Sequence, residues 1–351
     1  MKKKSLSVKN KVNNQILKNL NNKRIFKVYK ELETSLINKG RFAVALSGGS
    51  DSLALAFAAK CFSILNKIDI KYYLVDHKLR KNSSQESKKV SLLLKKFNIN
   101  CKILVWRGIK PKSNIQAIAR NKRYSLLITQ CKKDKLNLLT LGHHNDDVYE
   151  NFFIRLSRGS GLKGLTSFGK NSEYKNDKVR IIRPFINFEK KELIYLSKKV
   201  FNFYIKDPSN LNEDFKRIRI RKLMHGLKNE GLDSKKLSLT INNLKDTDQT
   251  IKFYITNNIK VNSIFSKKNN TFLLNKYFFE QPNEIIFRSI SILMRSVSKN
   301  YYPARGKSVT NLITRIKSDN FKKSTLGGCF FEKINQTILI SIENYTKDKI
   351  L

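Results

Sequence analysis

From Arg41 onward, short apolar runs alternate with amphipathic stretches. Phe42-Ala43-Val44-Ala45-Leu46, Tyr72-Tyr73-Leu74-Val75, Ile103-Leu104-Val105-Trp106 and Leu138-Leu139-Thr140-Leu141 each have the length and near-continuous apolar character of a strand buried on both faces. Between them, residues 51–66, 84–97, 113–131 and 144–156 carry Leu, Ile, Ala and Phe at spacings of three and four, which predicts helices with one buried side. Strand alternating with helix predicts an α/β fold with a doubly wound parallel sheet, its ligand crevice beyond the carboxyl ends of the strands. A polar segment at 171–178 interrupts the rhythm, and Arg183-Pro184 reads as a turn or strand end before a helix at 189–200. Another helix is expected from near Asp214, after the turn-forming Asp207-Pro208-Ser209-Asn210. Beyond Leu232 the pattern changes: amphipathic helices at 235–257, 282–299 and 306–318 flank strand-like pieces at 260–265, 271–274 and 329–341. The chain therefore divides into an N-terminal extension (1–40), an α/β domain (41–231) and a second, mainly helical α+β domain (232–351).

Charge changes this picture. The 351 residues hold 71 Lys+Arg against 27 Asp+Glu, a formal net charge of +44. An excess spread along the whole chain suits a phosphate-rich partner, nucleic acid first, because each neutralised phosphate releases a counterion. Codon bias toward lysine is the plainer alternative. Residues 1–30 carry ten Lys/Arg and no acid, but lack the apolar core and cleavage site of a secretory signal; an organellar presequence stays open. No run of 18 uncharged apolar residues occurs, which argues against a membrane-spanning helix. Cys61, Cys101, Cys131 and Cys329 form no C-x-x-C pair and no metal-ligand spacing, which fits a reduced, cytoplasmic protein without a zinc or iron–sulfur site.

The strongest chemical signal is Ser47-Gly48-Gly49-Ser50-Asp51-Ser52, set between a strand and a helix. Two glycines allow a tight turn, the serines add hydroxyl donors, and a helix N-terminus adds partial positive charge, which together make a phosphate cradle. The Walker A and dinucleotide patterns are absent. A second constellation, Gly142-His143-His144-Asn145-Asp146-Asp147-Val148-Tyr149-Glu150, places Asp146, Asp147 and Glu150 three and four apart on early helix turns. Carboxylates so crowded await a cation, either Mg²⁺ or an ammonium; complementing the helix dipole is the plainer role.

The S-G-G-x-D-S loop resembles the pyrophosphatase-type P-loop (PP-loop) of enzymes that split ATP between its α and β phosphates and transfer AMP to an oxygen. Further segments narrow the resemblance: Val75-Asp76-His77-Lys78-Leu79-Arg80, Ala119-Arg120-Asn121-Lys122-Arg123-Tyr124, the double-histidine segment, Arg158-Gly159-Ser160-Gly161 with Gly164-Leu165, and Arg183-Pro184. In this order they resemble the bacterial tRNA(Ile)-lysidine synthetase family. The likeness extends to Arg217 and Arg221, with Ile218 where that family has asparagine, and to Thr325-Leu326-Gly327-Gly328-Cys329.

The resemblance implies a ligase. ATP adenylates the C2 oxygen of the wobble cytidine in CAU-anticodon tRNA(Ile), and the ε-amine of free L-lysine then attacks, giving lysidine, AMP and pyrophosphate. It implies that Ser47, Gly48, Gly49, Ser50, Asp51 and Ser52 hold the β and γ phosphates, with Asp51 positioning Mg²⁺, and that Val75 and Asp76 border the adenosine. Arg120 and His143 stabilise charge on the transferring phosphoryl group. Asp147 and Glu150 bind lysine, while Arg158, Arg217, Arg221, Lys322 and Lys323 contact tRNA. The oligomeric state stays open, a homodimer included. Two rivals remain: a tRNA thiolase of the same loop class, which needs cysteines or a cluster, and a catalytically silent RNA-binding protein, which needs neither the loop nor the acids.

Overall fold

The structure, a computed structural model, describes residues 2–37, 40–80, 82–109, 111, 113–173, 178–205, 216–299 and 304–343. Asp207-Pro208-Ser209-Asn210 and Phe215 lie outside the described residues. The chain divides into two compact units, Met1–Leu237 and Ser238–Leu351. Among the described residues no helix is long and apolar enough to cross a membrane.

In the first unit, helices α1 (Lys2–Lys18) and α2 (Lys23–Leu36) precede β1 (Ala43–Leu46), α3 (Ser50–Asn66), β2 (Lys71–Asp76), α4 (Ser83–Lys96), β3 (Cys101–Val105) and α5 (Ile115–Lys133). There follow β4 (Leu138–Thr140), α6 (Asn145–Leu156), α7 (Leu162–Leu165), β5 (Asn171–Glu173), β6 (Arg180–Ile182), α8 (Lys190–Phe201) and α9 (Lys216–Asn229). The sheet order is β3-β2-β1-β4-β6-β5. β1 pairs in parallel with both β2 and β4, Val44 standing opposite Tyr72 on one side and Thr140 on the other. The winding reverses between β1 and β4, so a crevice opens beyond their carboxyl ends, where the serine–glycine loop and the double histidine follow.

Period-two alternation explains the double burial. In β2, Tyr72 and Leu74 enter a core shared with α2, α3, α4 and α8. Tyr73 and Val75 enter the opposite core, with Tyr124, Leu127 and Ile128 of α5. The 171–178 segment, expected only as an interruption, supplies the edge strand β5, which pairs antiparallel to β6. The sheet is therefore mixed at that edge.

Residues 1–40 are more than an extension. Asn22 caps α2 by accepting from Arg24 and Ile25 N–H at 3.0 and 3.3 Å. Ile25, Val28, Tyr29, Leu32 and Leu36, at helical spacing, are buried in the core with α3. Arg24 pairs with Glu192 of α8 at 3.1 Å and lies over Tyr195. The spacing of these apolar positions is legible in the sequence, although lysines and other polar residues fill the positions between them.

The second unit takes up α10 (Ser234–Asn262) and adds β7 (Ser263–Ser266), β8 (Thr271–Leu274), α11 (Asn283–Ser298), α12 (Gly306–Ile316), β9 (Lys323–Leu326), β10 (Cys329–Ile334) and β11 (Thr337–Ile342). Its sheet is antiparallel, ordered β7-β8-β11-β10-β9. Phe331, Ile338 and Ile340 of the sheet pack against Ile290, Leu293 and Val297 of α11 and Leu312 of α12. Gly327-Gly328 forms the two-residue turn of the β9–β10 hairpin, with φ of +62° and +78°. Inside, Asp248 and Arg288, both buried, pair at 2.6 Å, and Arg288 also holds Glu284 at 2.6 Å.

Candidate active site

The loop after β1 is built around its second residue and its third serine. Gly48 has φ +81°, and a Cβ there would lie 2.7 Å from Val90 and 2.9 Å from Ile205, so no other residue fits without displacement. Ser52 Oγ accepts from Ser47 N–H at 3.1 Å and from Ser47 Oγ at 3.2 Å, and donates to Gly49 O at 3.0 Å. These bonds close the loop over the first turn of α3, whose leading N–H groups have no intrahelical partners and can receive an anion. Gly142, after β4, completes the frame: a Cβ there would lie 2.7 Å from Asp51 O. The absent side chain lets the double-histidine segment run directly against the loop.

Asp51 is the meeting point. Its Oδ2 lies 2.5 Å from Lys190 Nζ and 3.7 Å from His144 Nε2, and its Oδ1 accepts from Ser50 Oγ at 3.2 Å. His144 is the N-cap of α6: its Nδ1 accepts from Asp146 N–H at 3.3 Å, while Asp147 Oδ2 accepts from His144 N–H at 3.0 Å. Asp147 therefore has a structural duty beside any binding role. Burial alone would raise its carboxyl; His143, His144 and Arg217 nearby hold it below the usual carboxylate range.

His143 precedes this cap, and Arg120 lies on α5. Burial, with Arg183 adding to it, pushes the His143 imidazole down to about 3, so the ring is neutral at physiological pH. Arg183 Nε donates to His143 Nδ1 at 3.2 Å, leaving Nε2–H as the outward donor. Arg183 is itself fixed, donating to Gly169 O at 3.0 Å and Ser172 Oγ at 2.9 Å and lying over the Phe168 ring. Read from sequence as a turn, Arg183 is a positioning group for His143. Arg120 donates to Tyr124 OH at 3.3 Å and lies 5.1 Å from the Tyr124 ring centroid.

Two cavities flank Asp51. One, about 410 Å³, is lined by Ser47, Val75, Asp76, His77, Val90 and Arg123 among others. Asp76 is buried and accepts from Ser83 Oγ at 2.8 Å, Ser84 Oγ at 2.6 Å and Lys78 N–H at 3.0 Å. The other, about 530 Å³, is lined by His144, Asp146, Tyr149, Glu150, Lys190 and Arg221 among others. Glu150 is 2% exposed; its Oε1 pairs with Arg221 Nε at 2.5 Å, and its buried Oε2 has no hydrogen-bond partner among the described residues. Burial raises the Glu150 carboxyl against the opposing pull of Arg221. Arg221, expected among the phosphate contacts, is thus turned to a carboxylate.

A profile of the PP-loop domain family matches residues 13–227. The tRNA(Ile)-lysidine synthase of Orientia tsutsugamushi (strain Boryong) is 33% identical over 312 residues, covering 86% of this chain and 69% of that one. The chain belongs to the tRNA(Ile)-lysidine synthase family. The synthase of Rickettsia prowazekii (strain Madrid E) is 31% identical over 316 residues, covering 89% and 72%. Among solved structures, the U34-tRNA thiolase NcsA from Methanococcus maripaludis, with its [4Fe-4S] cluster, matches with a TM-score of 0.52 at 20% identity over 64% of this chain and 79% of that one. That likeness concerns the fold. The cysteines separate the two chemistries: Cys61, Cys131 and Cys329 are buried in cores, with thiols pushed up by burial to about 12, 12 and 11, and none of the four lines either cavity.

The structure brings together Ser47, Gly48, Gly49, Ser50, Asp51, Ser52, His143, Asp147 and Glu150, with Val75 and Asp76 on the adjoining cavity. Lys190, His144 and Arg183 join them unannounced. His144 and Arg183 lay inside quoted motifs; Lys190 had no signal, because only the fold carries it to Asp51. Arg158 is exposed after α6, Arg217 is half-buried on α9, and Lys322 and Lys323 are exposed at the start of β9, in the other unit.

Proposed function

We propose that this protein forms lysidine at the wobble cytidine of CAU-anticodon tRNA(Ile), using ATP and free L-lysine. Family membership supports the reaction, and one observation carries the assignment of residues: the phosphate loop and the acid-lined cavity meet at Asp51, which Lys190 and His144 approach from that cavity. The loop from Ser47 to Ser52 holds the β and γ phosphates, and the cavity beside Val75 and Asp76 takes the adenosine. The C2 oxygen of cytidine attacks the α phosphorus, and pyrophosphate leaves with the electrons of the broken P–O bond. His143, neutral and oriented by Arg183, and Arg120 donate to the phosphoryl oxygens as charge develops. The ε-amine then forms the C2–N bond, AMP departs with the C2–O electrons, and the amine gives up a proton. Asp147 and Glu150 receive the ammonium groups of lysine, and the buried Oε2 of Glu150 is an acceptor still without a donor.

Among the described residues no group of three or more His, Cys, Asp and Glu side chains can hold a metal ion. Mg²⁺ typically binds one or two carboxylates and takes its other ligands from phosphates and water, so Asp51 fits as its protein ligand. Bound there, the ion would neutralise phosphate charge.

Arg158, Arg217, Lys322 and Lys323 grip tRNA phosphates in this reading, with Arg221 set aside for Glu150. The second unit thus serves tRNA binding. The unpaired thiols suit the cytoplasm, where ATP, tRNA and lysine meet.

Incubation with ATP, lysine and unmodified tRNA(Ile), followed by mass analysis of the wobble nucleotide, tests the reaction. A lysine adduct with AMP release is expected; an unmodified or thiolated cytidine overturns it. Neutralising Lys322 and Lys323 together should flatten the salt dependence of tRNA binding by about two log units per log unit of salt.

A further inference from the structure

Helix α2 has two faces. Ile25, Val28, Tyr29, Leu32 and Leu36 are buried in the core, while Lys23, Phe26, Lys27, Lys30 and Thr34, also at helical spacing, line one wall of a surface groove of about 760 Å³. The facing wall is formed by Asn187, Phe188 and Glu189 and by Lys191 and Glu192 of α8. Three acids stand in this groove, and each already holds a cation: Glu31 pairs with Lys170 at 2.8 Å, Glu189 with Lys191 at 2.5 Å and Glu192 with Arg24 at 3.1 Å. Lys30 is paired with Glu33 at 2.5 Å. Lys23 and Lys27 are exposed and have no carboxylate partner among the described residues, and Lys27 Nζ lies 5.8 Å from the Phe188 ring centroid. The groove therefore carries aromatic surface and a surplus of positive charge. Its wall is shared with the catalytic centre. Lys190, between the two wall residues Glu189 and Lys191, is turned away to Asp51, and the Phe188 carbonyl accepts from Asn145 N–H at 3.0 Å, beside His144.

We propose that this groove holds the RNA strand that flanks the wobble cytidine in the anticodon loop. Lys23 and Lys27 meet its phosphates, and the half-exposed ring of Phe26 meets a base. Two features favour a strand over a small anion. Both lysines are exposed, so no enclosed set of donors converges on one phosphate. They also stand one helical turn apart, at positions i and i+4, and so meet neighbouring groups along a chain. The shared wall supplies the reason for the place: with the cytidine at the phosphate loop, the nucleotides beside it leave the centre past Phe188 and Lys191. Lysines set among core positions of α2 thus gain a use that the core alone does not require.

This inference rests on tRNA(Ile) being the substrate, and binding is measured apart from catalysis. The full chain is titrated, without ATP or lysine, with unmodified tRNA(Ile) and with its isolated anticodon stem-loop at four salt concentrations. Lys23→Gln/Lys27→Gln should lower the slope of log affinity against log salt by about 1.4 for both RNAs, about 0.7 for each single-stranded phosphate released. Lys23→Gln alone should lose about half of that, so the test stands even if the double change disturbs α2. Phe26→Ala should weaken both RNAs by about fivefold or more while keeping the parental slope. Lys95→Gln/Lys96→Gln removes the same charge from exposed positions on the last turn of α4, which leads into β3 at the amino ends of the strands, and should leave the slope unmoved. An unchanged slope in Lys23→Gln/Lys27→Gln, or an equal change in the α4 pair, overturns the groove as an RNA site and leaves lysidine formation standing. An affinity unchanged in Phe26→Ala overturns the base contact. A change seen with whole tRNA but not with the stem-loop overturns the assignment to the anticodon. A parent protein that shows the expected binding but forms no lysidine overturns the functional reading and leaves the groove standing.

Discussion

Two buried carboxylates, one in each of the two cavities, differ in how far the protein satisfies their oxygens. Asp76 accepts from two serine hydroxyls and a backbone N–H, and these hold its carboxyl below the ordinary range against the burial that would raise it. Glu150 has one ion-pair partner and an oxygen with none, and its burial wins: the carboxyl is raised. Asp76 organises the start of α4 and shapes the cavity through backbone. Glu150 keeps one buried oxygen without a donor among the described residues. The difference lies in hydrogen-bond saturation, since both groups are almost fully buried.

Asp51 stands in the phosphate loop and is met by Lys190 and His144 of the acid-lined cavity, so Asp51→Asn should have the largest effect: a fall in kcat for lysidine formation of about 100-fold or more, with the fold retained. A variant turning over at the parental rate would remove Asp51 from the chemistry. Glu150→Gln sharpens the comparison on the binding side. It should raise the lysine KM by about 10- to 100-fold, the equivalent of ~1.5–3 kcal/mol for a charge-assisted contact, and leave the ATP KM within about threefold. A shift confined to ATP would assign Glu150 to the nucleotide instead. Asp76→Asn should show the opposite profile. Thermal unfolding should lose about 1–3 kcal/mol, a Tm drop of roughly 3–10 °C, as the hydroxyls lose a charged acceptor, while the lysine KM stays put. If Asp76→Asn moved the lysine KM as far as Glu150→Gln, saturation would not be the distinguishing property.

The sequence discloses these two acids unequally, and the reason is physical. Period-two strands and helical spacing locate β1 to β4 and the helices between them, because local pattern and burial coincide there. The motif residues Ser47 to Ser52, His143, Asp147 and Glu150 follow from their contiguity. What stays hidden depends on long-range approach. Lys190 reaches Asp51 across 139 residues, and Arg221 reaches Glu150 across 71. No spacing rule connects such partners; sheet order and helix docking do. Edge strand β5 is hidden for a different reason: three residues are too few to show alternation, and the pairing with β6 makes them a strand.

His143 extends the comparison to a group that burial keeps neutral, and it predicts the smallest effect. Its folded value of about 3 lies below the unfolded value near 6.5, so the native state resists protonation that the unfolded chain accepts. The stability this contributes is complete above about pH 7 and declines as pH falls through 6.5 toward 3. At pH 5 the loss is of order 1–2 kcal/mol relative to pH 7, within the lower half of the range set for Asp76→Asn. Melting curves of the parent and His143→Gln at pH 5 and 7 measure it: the parent should lose more stability on acidification than the variant. Between pH 7 and 8 the His143 imidazole is already neutral and adds no inflection to the rate. Equal losses for parent and variant at pH 5 would mean that the ring protonates freely in the native state, and that Arg183 points a donor at a nitrogen that cannot stay an acceptor.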